Sequence, residues 1–450
     1  MVQRIFTVAS CVFALSACAG DSPLQAPEQA PSGMVAHTAV ANSPAPEVWV
    51  VDQSNSNGLT YGGAIHIFAV ADLMGEAAAK AKSIAHIDLA GATARLCLAQ
   101  TGTNPVRPHM LFFNSSHSHG VLSFVASGHV VIFDGAARAP KACIRMSPGA
   151  GGAVQAHAAF LTPDDRHILV ANQNGKLLER IDTDYATNNY VHATAATIDL
   201  ANCTTPNGFS CQDPVLRPDN APICPRVGSG NTTRVTLRGG GLLVVDPDVT
   251  PMAIVGEYDA ATVHPNGCGG TETGGYMWLN SGGGTANNLH EFDVYRFPLT
   301  GYSASNPPNT PARILAFSDD VEPRDSHGTV LARGNVWIFD RGANVAEVFD
   351  GASGSHVATV SLLGGPSSDP TPDLADVAPS GNRIFVSLRG PIPLSGDPHV
   401  ATGSTPGIGV VQVQQGGGRG FLKAVVLISN RDAAGIERAD PHGIRVRNPR

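Results

Sequence analysis

Histidine recurs where apolar, strand-like segments of this chain begin, as in "RPHMLFF", "QAHAAFL", "TVHPNGC", "DSHGTVL" and "DPHGIRV". The chain has 16 histidines in 450 residues, yet five of seven comparable strand starts carry one. Imidazole groups that converge from several strands can hold copper, zinc or iron. The candidate metal ligands are therefore His109, His157, His264, His327 and His442.

The two remaining strand starts carry Cys224 and Asp373, which we take as weaker candidate ligands. Thiolate and carboxylate also bind such ions. A second interpretation stays open, in which these polar side chains hydrogen-bond to the backbone of a neighbouring strand. In both cases clustered imidazolium groups would repel one another, so we expect their pKa values to fall below about 6.5. The sequence has no GxSxG or phosphate-binding loop, and it assigns no catalytic residue.

The elements that must position these side chains are short strands joined by turns. In "VQAHAAFLTPDDRHILVANQNGKLLERIDT" an apolar strand reaches Pro163, a turn follows, and "HILVAN" begins the next strand. This segment resembles the YVTN/YncE-like repeat of β-propellers, although Asp165 stands where the repeat usually has glycine. The resemblance covers residues 154–183 well and implies an all-β propeller.

Applied along the chain, this repeat predicts six full four-stranded blades. Three strands at the N-terminus, "EVWVVD", "AIHIFAV" and "SIAHIDL", and the last strand, "HGIRV", remain unmatched. Three strands and one strand make a seventh blade. We therefore predict a seven-bladed β-propeller over residues 47–450, closed by pairing of the C-terminal strand with the N-terminal strands, which leaves no exposed sheet edge.

Composition agrees with many short strands and turns. Charged residues are only 15% of the chain, and it has 50 glycines and 33 prolines. The formal net charge of −8 gives no basic footprint for nucleic acid, so we expect no nucleic-acid partner.

The N-terminus carries targeting information. Residues 1–18 have a cationic start and an apolar run, and they end in Leu15-Ser16-Ala17-Cys18, which resembles a bacterial lipobox. That resemblance implies lipidation of Cys18 and a membrane partner through the lipid anchor; an ordinary signal cleaved nearby is the alternative. Residues 19–46 read as a flexible tether rich in proline, alanine and serine. We expect an extracytoplasmic protein on the periplasmic face of the outer membrane or on the cell surface.

Six cysteines follow Cys18. In an oxidising compartment they could form three disulfides, with fifteen connectivities open. Cys203 and Cys211, which share one short loop, are the predicted pair.

Function is less constrained than fold, because propellers host many activities. The first interpretation is a module that binds an unknown small molecule or protein at the mouth of its central channel or on its loop face. The alternatives are a metal-dependent, copper-type oxidoreductase that uses a histidine ring, and a lactonase-like hydrolase. Copper or zinc is the candidate cofactor. The nitrous oxide reductase propeller offers an architectural analogy for copper, without a matching sequence stretch.

Overall fold

The computed structural model describes residues 44–282, 290–303, 311–318, 323–394 and 401–449. The predicted signal peptide, Cys18 and nearly all of the tether lie outside these residues. Within them the chain is almost entirely strand and turn, as the composition predicts. No helix in this part of the chain is long and apolar enough to cross a membrane.

The first half of the molecule builds three blades and most of a fourth, the closing one. Its strands are β1 (Glu47–Asp52), β2 (Ala64–Ala69), β3 (Ala85–Asp88), β4 (Pro108–Phe113), β5 (His119–Phe124), β6 (His129–Asp134), β7 (Ala139–Arg145), β8 (Ala156–Leu161), β9 (His167–Asn172), β10 (Leu177–Asp184), β11 (Asn189–His192), β12 (Ile198–Asp199), β13 (Pro222–Val227), β14 (Thr233–Leu237), β15 (Leu242–Asp246) and β16 (Ala253–Tyr258).

The second half builds three further blades and the closing strand. Its strands are β17 (Gly270–Thr273), β18 (Tyr276–Gly282), β19 (His290–Pro298), β20 (Ala312–Ser318), β21 (Arg324–Ala332), β22 (Asn335–Asp340), β23 (Val345–Asp350), β24 (His356–Ser361), β25 (Pro372–Val377), β26 (Arg383–Leu388), β27 (Gly407–Gln414), β28 (Arg419–Leu427) and β29 (Pro441–Arg447).

The strands form seven antiparallel blades in a ring. Six blades use four consecutive strands each, beginning at β4, β8, β13, β17, β21 and β25, and the second of these adds the short strand β12. The seventh has the order β29-β1-β2-β3, with Val48 opposite Val446 and Glu47 opposite Arg447. The predicted seven-bladed propeller and its closure by the last strand are confirmed.

Turn chemistry explains why the repeat tolerates an aspartate in place of glycine. Asp165 adopts a left-handed conformation, with φ of 59°, which aspartate accepts more readily than most residues. Its carboxylate then accepts a hydrogen bond from the backbone N–H of Ser115, 2.9 Å away in the preceding blade. The departure from the repeat therefore adds a contact between blades.

Apolar side chains fill the space between neighbouring blades. Trp49, Trp278 and Trp337 are fully buried there, and the indole N–H of Trp337 donates to the carbonyl of Gly417 on the next blade at 2.8 Å. A buried tryptophan contributes a large apolar area to such an interface.

Two short helices interrupt the strands, and neither was predicted. Helix α1 spans Val70–Met74, and α2 spans Ala92–Thr101 between β3 and β4. Alanine, leucine, arginine and glutamine favour helix in α2, and Gly102 ends it in a left-handed conformation. Single turns of 3₁₀ helix lie at Ala78–Lys80, Ala150–Gly152, Thr194–Ala196 and Gln415–Gly417.

Three disulfides join the six cysteines. The predicted Cys203–Cys211 bond is confirmed. Cys97 of α2 bonds to Cys143 of β7, which ties the unpredicted helix to the outer strand of the next blade. The third bond joins Cys224 to Cys268.

Candidate functional site

The candidate metal ligands lie on or next to the innermost strands of the ring, and a β-bulge sets the side-chain direction of most of them. A register shift occurs near the start of six innermost strands, and none occurs in β17. Bulges commonly re-aim a side chain. The shifts fall at His109, His157, Cys224, His327, Asp373 and His442.

Four histidines meet in the channel. The ring of His109 stacks on that of His442, with centroids 3.9 Å apart, and makes an edge contact with His157 at 4.7 Å. The ring of His327 makes an edge contact with that of His442, with centroids 5.6 Å apart. Strands from four different blades therefore bring their imidazoles into one continuous cluster, which we call the histidine cluster.

Glycine after histidine lets the innermost strands approach closely. A Cβ atom on Gly328 would overlap the carbonyl oxygen of Asp373 on the next strand, and one on Gly443 would overlap the carbonyl of His109. The His-Gly pairs of "DSHGTVL" and "DPHGIRV" are thus explained by packing between blades as well as by the histidines themselves.

Hydrogen bonds orient two members of the cluster. His157 Nδ1 donates to the carbonyl of Ile223 on the next innermost strand, at 2.9 Å. This is the backbone contact that the second interpretation of the sequence expects. His109 Nδ1 lies 2.8 Å from Gln53 Oε1, to which it donates, so the Nε2 of a neutral His109 carries the lone pair. That Nε2 is buried without a hydrogen-bond partner among the described residues.

Asp373 is the carboxylate of the site. Its Oδ1 lies 3.0 Å from His327 Nε2 and 3.6 Å from His442 Nε2. Neither Oδ1 nor His327 Nε2 takes part in an aligned hydrogen bond within the described chain. His327, Asp373 and His442 thus bring one possible ligand atom each within 4.8 Å of the other two. We call His327, Asp373 and His442 the channel triad.

Two buried arginines hold Asp373 from the other side. Its Oδ2 accepts from Arg389 Nη1 at 2.7 Å and from Arg341 Nη1 at 3.4 Å. Arg389 also binds both carboxylate oxygens of Asp440, at 2.6 and 2.8 Å, and Arg341 pairs with Asp325. Three carboxylates thus pair directly with two guanidinium groups in this network.

Burial and the neighbouring charges set the protonation of the cluster. Burial, reinforced by nearby imidazoles and arginines, holds the pKa of His109 and His327 well below the usual value and lowers the pKa of His442 to about 3. Burial alone would raise the pKa of Asp373, and protonated His442 and His327 would lower it, but both imidazoles are neutral at pH 7. There the charges of Arg341 and Arg389 are what lower the pKa of Asp373. At neutral pH the triad therefore offers neutral imidazoles and an ionised carboxylate.

Two candidate ligands lie elsewhere. His264 precedes β17 in a turn and places its Nδ1 2.5 Å from Asp293 Oδ2, so the prediction that all five histidines converge is wrong for His264. Asn266 and Gly267 have positive φ, which ends the extended path that the sequence suggested for "VHPNGC". The first strand of this blade is Gly270–Thr273 instead. Cys224 is bonded to Cys268 and so has no thiolate to offer, which corrects its place among the candidate ligands.

A cavity of about 320 Å³ opens beside the cluster. His109, His157 and His327 line it, together with amide side chains from several blades and the guanidinium groups of Arg107, Arg238 and Arg341. Polar and apolar surfaces contribute about equally to the wall, so it can hydrogen-bond to a small ligand and also contact its carbon atoms.

Sequence reasoning missed the residues that stand two positions before each histidine. Arg107, Gln155 and Asp325 line the cavity, and Asp440 is buried beside Arg389. Side chains two residues apart in a strand share a face. The repeated x-x-His pattern of "RPH", "QAH", "DSH" and "DPH" was the available signal. Arg341 and Arg389 had no such signal, because their partners come from distant parts of the chain.

Comparison with known proteins supports the fold. No family model matches the chain, and no curated protein resembles it in sequence. Solved structures nonetheless share its overall fold. A periplasmic gluconolactonase of Pseudomonas aeruginosa superimposes with a TM-score of 0.52 at 12% identity, over 90% of this chain and 100% of its own.

Two further solved structures show similar structural agreement at low sequence identity. A protein from Lactobacillus plantarum gives a TM-score of 0.55 at 10% identity, over 89% of this chain and 99% of its own. A functionally unknown protein from Desulfotomaculum acetoxidans gives 0.51 at 14% identity, over 90% and 100%. At such identities these likenesses show the architecture alone, and the site must be argued from its own residues.

Proposed function

We propose that this propeller binds a small polar molecule in its central cavity, beside a zinc or copper ion held by the channel triad. The observation that carries this proposal is that His327, His442 and Asp373 bring one ligand atom each within 4.8 Å of the other two. Asp373 Oδ1 lies 3.0 and 3.6 Å from the two Nε2 atoms. Ligand atoms about 2.0–2.2 Å from a tetrahedral zinc ion are roughly 3.5 Å apart, and two imidazoles with one carboxylate are a familiar ligand set.

The protonation state of the triad suits metal binding. The two imidazoles are neutral at pH 7, because their pKa values are held low, and neutral imidazole is the form that binds metal. Three carboxylates are matched by Arg341, by Arg389 and, through the electrostatic field at Asp440, by Arg107, so the surrounding network is neutral in formal charge. A divalent ion would satisfy the lone pairs of the triad.

Metal binding can be tested with matched histidine variants. Zinc or copper added to chelator-treated protein should raise its melting temperature, because an ion that binds only the folded state stabilises it. His327→Ala with His442→Ala should abolish that shift, whereas His264→Ala, outside the cluster, should retain it. Equal melting-temperature shifts in the parent and both variants would contradict the proposal. It would also be contradicted if the parent protein, purified without chelators, contained no metal and showed no shift on addition of zinc or copper.

Lactone hydrolysis is the second candidate, favoured by His109. Its Nε2 carries a lone pair in a buried position beside the triad. The lowered pKa of His109 keeps that lone pair unprotonated at neutral pH, although it also makes the imidazole a weak base. It could take a proton from a water molecule whose oxygen attacks the lactone carbonyl, and return it to the ring oxygen as the acyl C–O bond breaks. A metal at the triad would polarise that carbonyl. Turnover of simple lactones, lost in His109→Gln, tests this candidate.

We also propose that the protein is lipid-anchored through Cys18 outside the cytoplasm. The lipobox-like Leu15-Ser16-Ala17-Cys18 supports this, and the three disulfides suit an oxidising compartment. Membrane partition and fatty-acid labelling that persist in Cys18→Ala would contradict it.

A further inference from the structure

Arg107 differs from the other arginines of the cavity wall. Arg341 pairs with Asp325 and Asp373, and Arg238 binds Asp219. Arg107 forms no ion pair with the described residues, and its buried Nε has no hydrogen-bond partner among them. The Asp440 carboxylate acts on it only through the electrostatic field. The cavity therefore contains a guanidinium group whose N–H donors are available to a bound ligand.

The backbone holds Arg107 in an unusual conformation. Its φ is 58°, a left-handed value that is uncommon for residues other than glycine, asparagine and aspartate. The conformation is fixed by the N–H of Val125, which donates to the Arg107 carbonyl at 2.9 Å. Two residues later the bulge of β4 turns His109 into the same cavity. Arg107 is thus held by a backbone hydrogen bond directly before β4.

Neutral amides form much of the remaining polar wall, and the Asp325 carboxylate in it is paired with Arg341. Gln155, Gln173, Asn174 and Asn266 line the same cavity from two other blades. Amides accept and donate hydrogen bonds without adding charge, which suits the hydroxyl groups of a ligand. A planar guanidinium fork matches the two oxygens of a carboxylate or phosphate. Burial lowers the pKa of Arg107, so a bound anion would offset the cost of its partly desolvated charge.

We propose that Arg107 binds an oxyanion of the ligand, so that the cavity takes a small hydroxylated carboxylate or phosphate. This rests on the proposed function in one respect, that the cavity is a ligand site. It does not require the metal. A cavity of about 320 Å³ holds roughly ten water volumes of about 30 Å³ each, which sets the size of the ligand at about that of a short sugar acid.

The test compares anions with a neutral analogue. Tartrate, inorganic phosphate and the uncharged polyol erythritol are titrated into the full-length protein at constant ionic strength, with and without chelator. Tartrate or phosphate should bind at least tenfold more tightly than erythritol. A response to tartrate alone identifies a carboxylate, and a response to phosphate alone identifies a phosphate.

Matched variants isolate Arg107. Arg107→Gln should weaken anion binding at least tenfold, and Arg107→Lys, which keeps the charge without the fork, should be intermediate. Arg95→Gln, which alters an exposed arginine on α2, should bind as the parent does. If Arg107→Gln is unstable, the comparison relies on Arg107→Lys. Full anion affinity in Arg107→Lys would show that the planar guanidinium group is not needed, which contradicts the inference.

The outcomes separate this inference from the metal proposal. Anion binding that depends on Arg107 and survives chelator supports the inference even if the triad binds no metal. Anion binding that is the same in Arg107→Gln, or absent from the parent protein under both conditions, overturns it.

Discussion

At the scale of single residues, the pairs His327-Gly328 and His442-Gly443 each have two structural roles. The histidine side chain enters the channel, while the missing Cβ of the following glycine lets the next innermost strand come close. The two roles are coupled, because a larger separation between the innermost strands would also move the histidine side chain. The position of the channel triad therefore depends on glycines that touch no ligand.

Gly328→Ala tests this dependence. The new methyl would overlap the Asp373 carbonyl, so strands β21 and β25 must separate, and we expect a loss of about 1–3 kcal/mol in the free energy of unfolding. Gly365→Ala, where nothing lies within 4 Å of the added Cβ, is the control and should be near neutral. Thermal unfolding measures both. A Gly328→Ala protein as stable as the Gly365→Ala protein would show that the close contact is unimportant.

At the scale of strands, the sequence predicted which segments are innermost but not how they aim their side chains. Apolar runs and turn residues located β4, β8, β13, β21, β25 and β29, because strand periodicity is a local property. The bulges that turn His109, His157, His327 and His442 into the channel have no local signature here. Blade four shows the limit, because a turn at Pro265–Gly267 displaced the strand and separated His264 from the cluster.

The ends of β1 and β29 are joined by a buried carboxylate. Asp52 Oδ1 accepts from the backbone N–H groups of Ser54 and Asp440, at 3.0 and 2.8 Å, and Oδ2 accepts from Asn430. Burial raises the pKa of Asp52 to about 6, despite these hydrogen bonds. The folded protein therefore holds a proton on Asp52 at pH values where the unfolded chain has released it.

The sign of the pH dependence follows from that raised pKa. The contribution of Asp52 to stability is complete below about pH 4 and is lost as pH rises through 6, at a cost of about 3 kcal/mol above that pH. Asp52→Asn keeps an acceptor oxygen but cannot ionise, so its stability relative to the parent should rise between pH 4 and pH 7.

Thermal unfolding across that pH range checks this expectation. Asp134 is a matched control at the end of β6, where it also accepts two backbone N–H groups, but its pKa is lowered. Asp134→Asn should therefore show no rise over this range, because the stability that the lowered pKa gives the parent protein is already complete above about pH 4. A pH-independent difference for Asp52→Asn would contradict the argument.

At the scale of the whole molecule, closure depends on one strand that is remote in sequence. Strand β29 pairs with β1 and forms the innermost layer of the seventh blade, where Ile444 is fully buried. It also carries His442, and Asp440 just precedes it. The same segment thus closes the ring and completes the triad, so we expect stability and ligand binding to fail together when it is displaced.

Ile444→Asp tests that coupling. An unpaired carboxylate at a fully buried apolar position should cost about 4 kcal/mol or more, from lost apolar burial and desolvation of the charge. Leu427→Asp, at a side chain that is 67% exposed on β28, should have little effect. Melting temperature and metal binding are measured for both. An Ile444→Asp protein that keeps both properties would show that β29 is not needed for closure.

The pairing of Glu47 with Arg447 also means that the two ends of the ring lie side by side. Facing residues of an antiparallel pair have Cα atoms about 5 Å apart. Fluorophores placed at residues 46 and 448 would therefore transfer energy efficiently while the ring is shut and lose that transfer as it opens. For the same reason, a short linker could join the two ends and the chain could be cut at another exposed turn, giving a circular permutant whose seam lies between different blades.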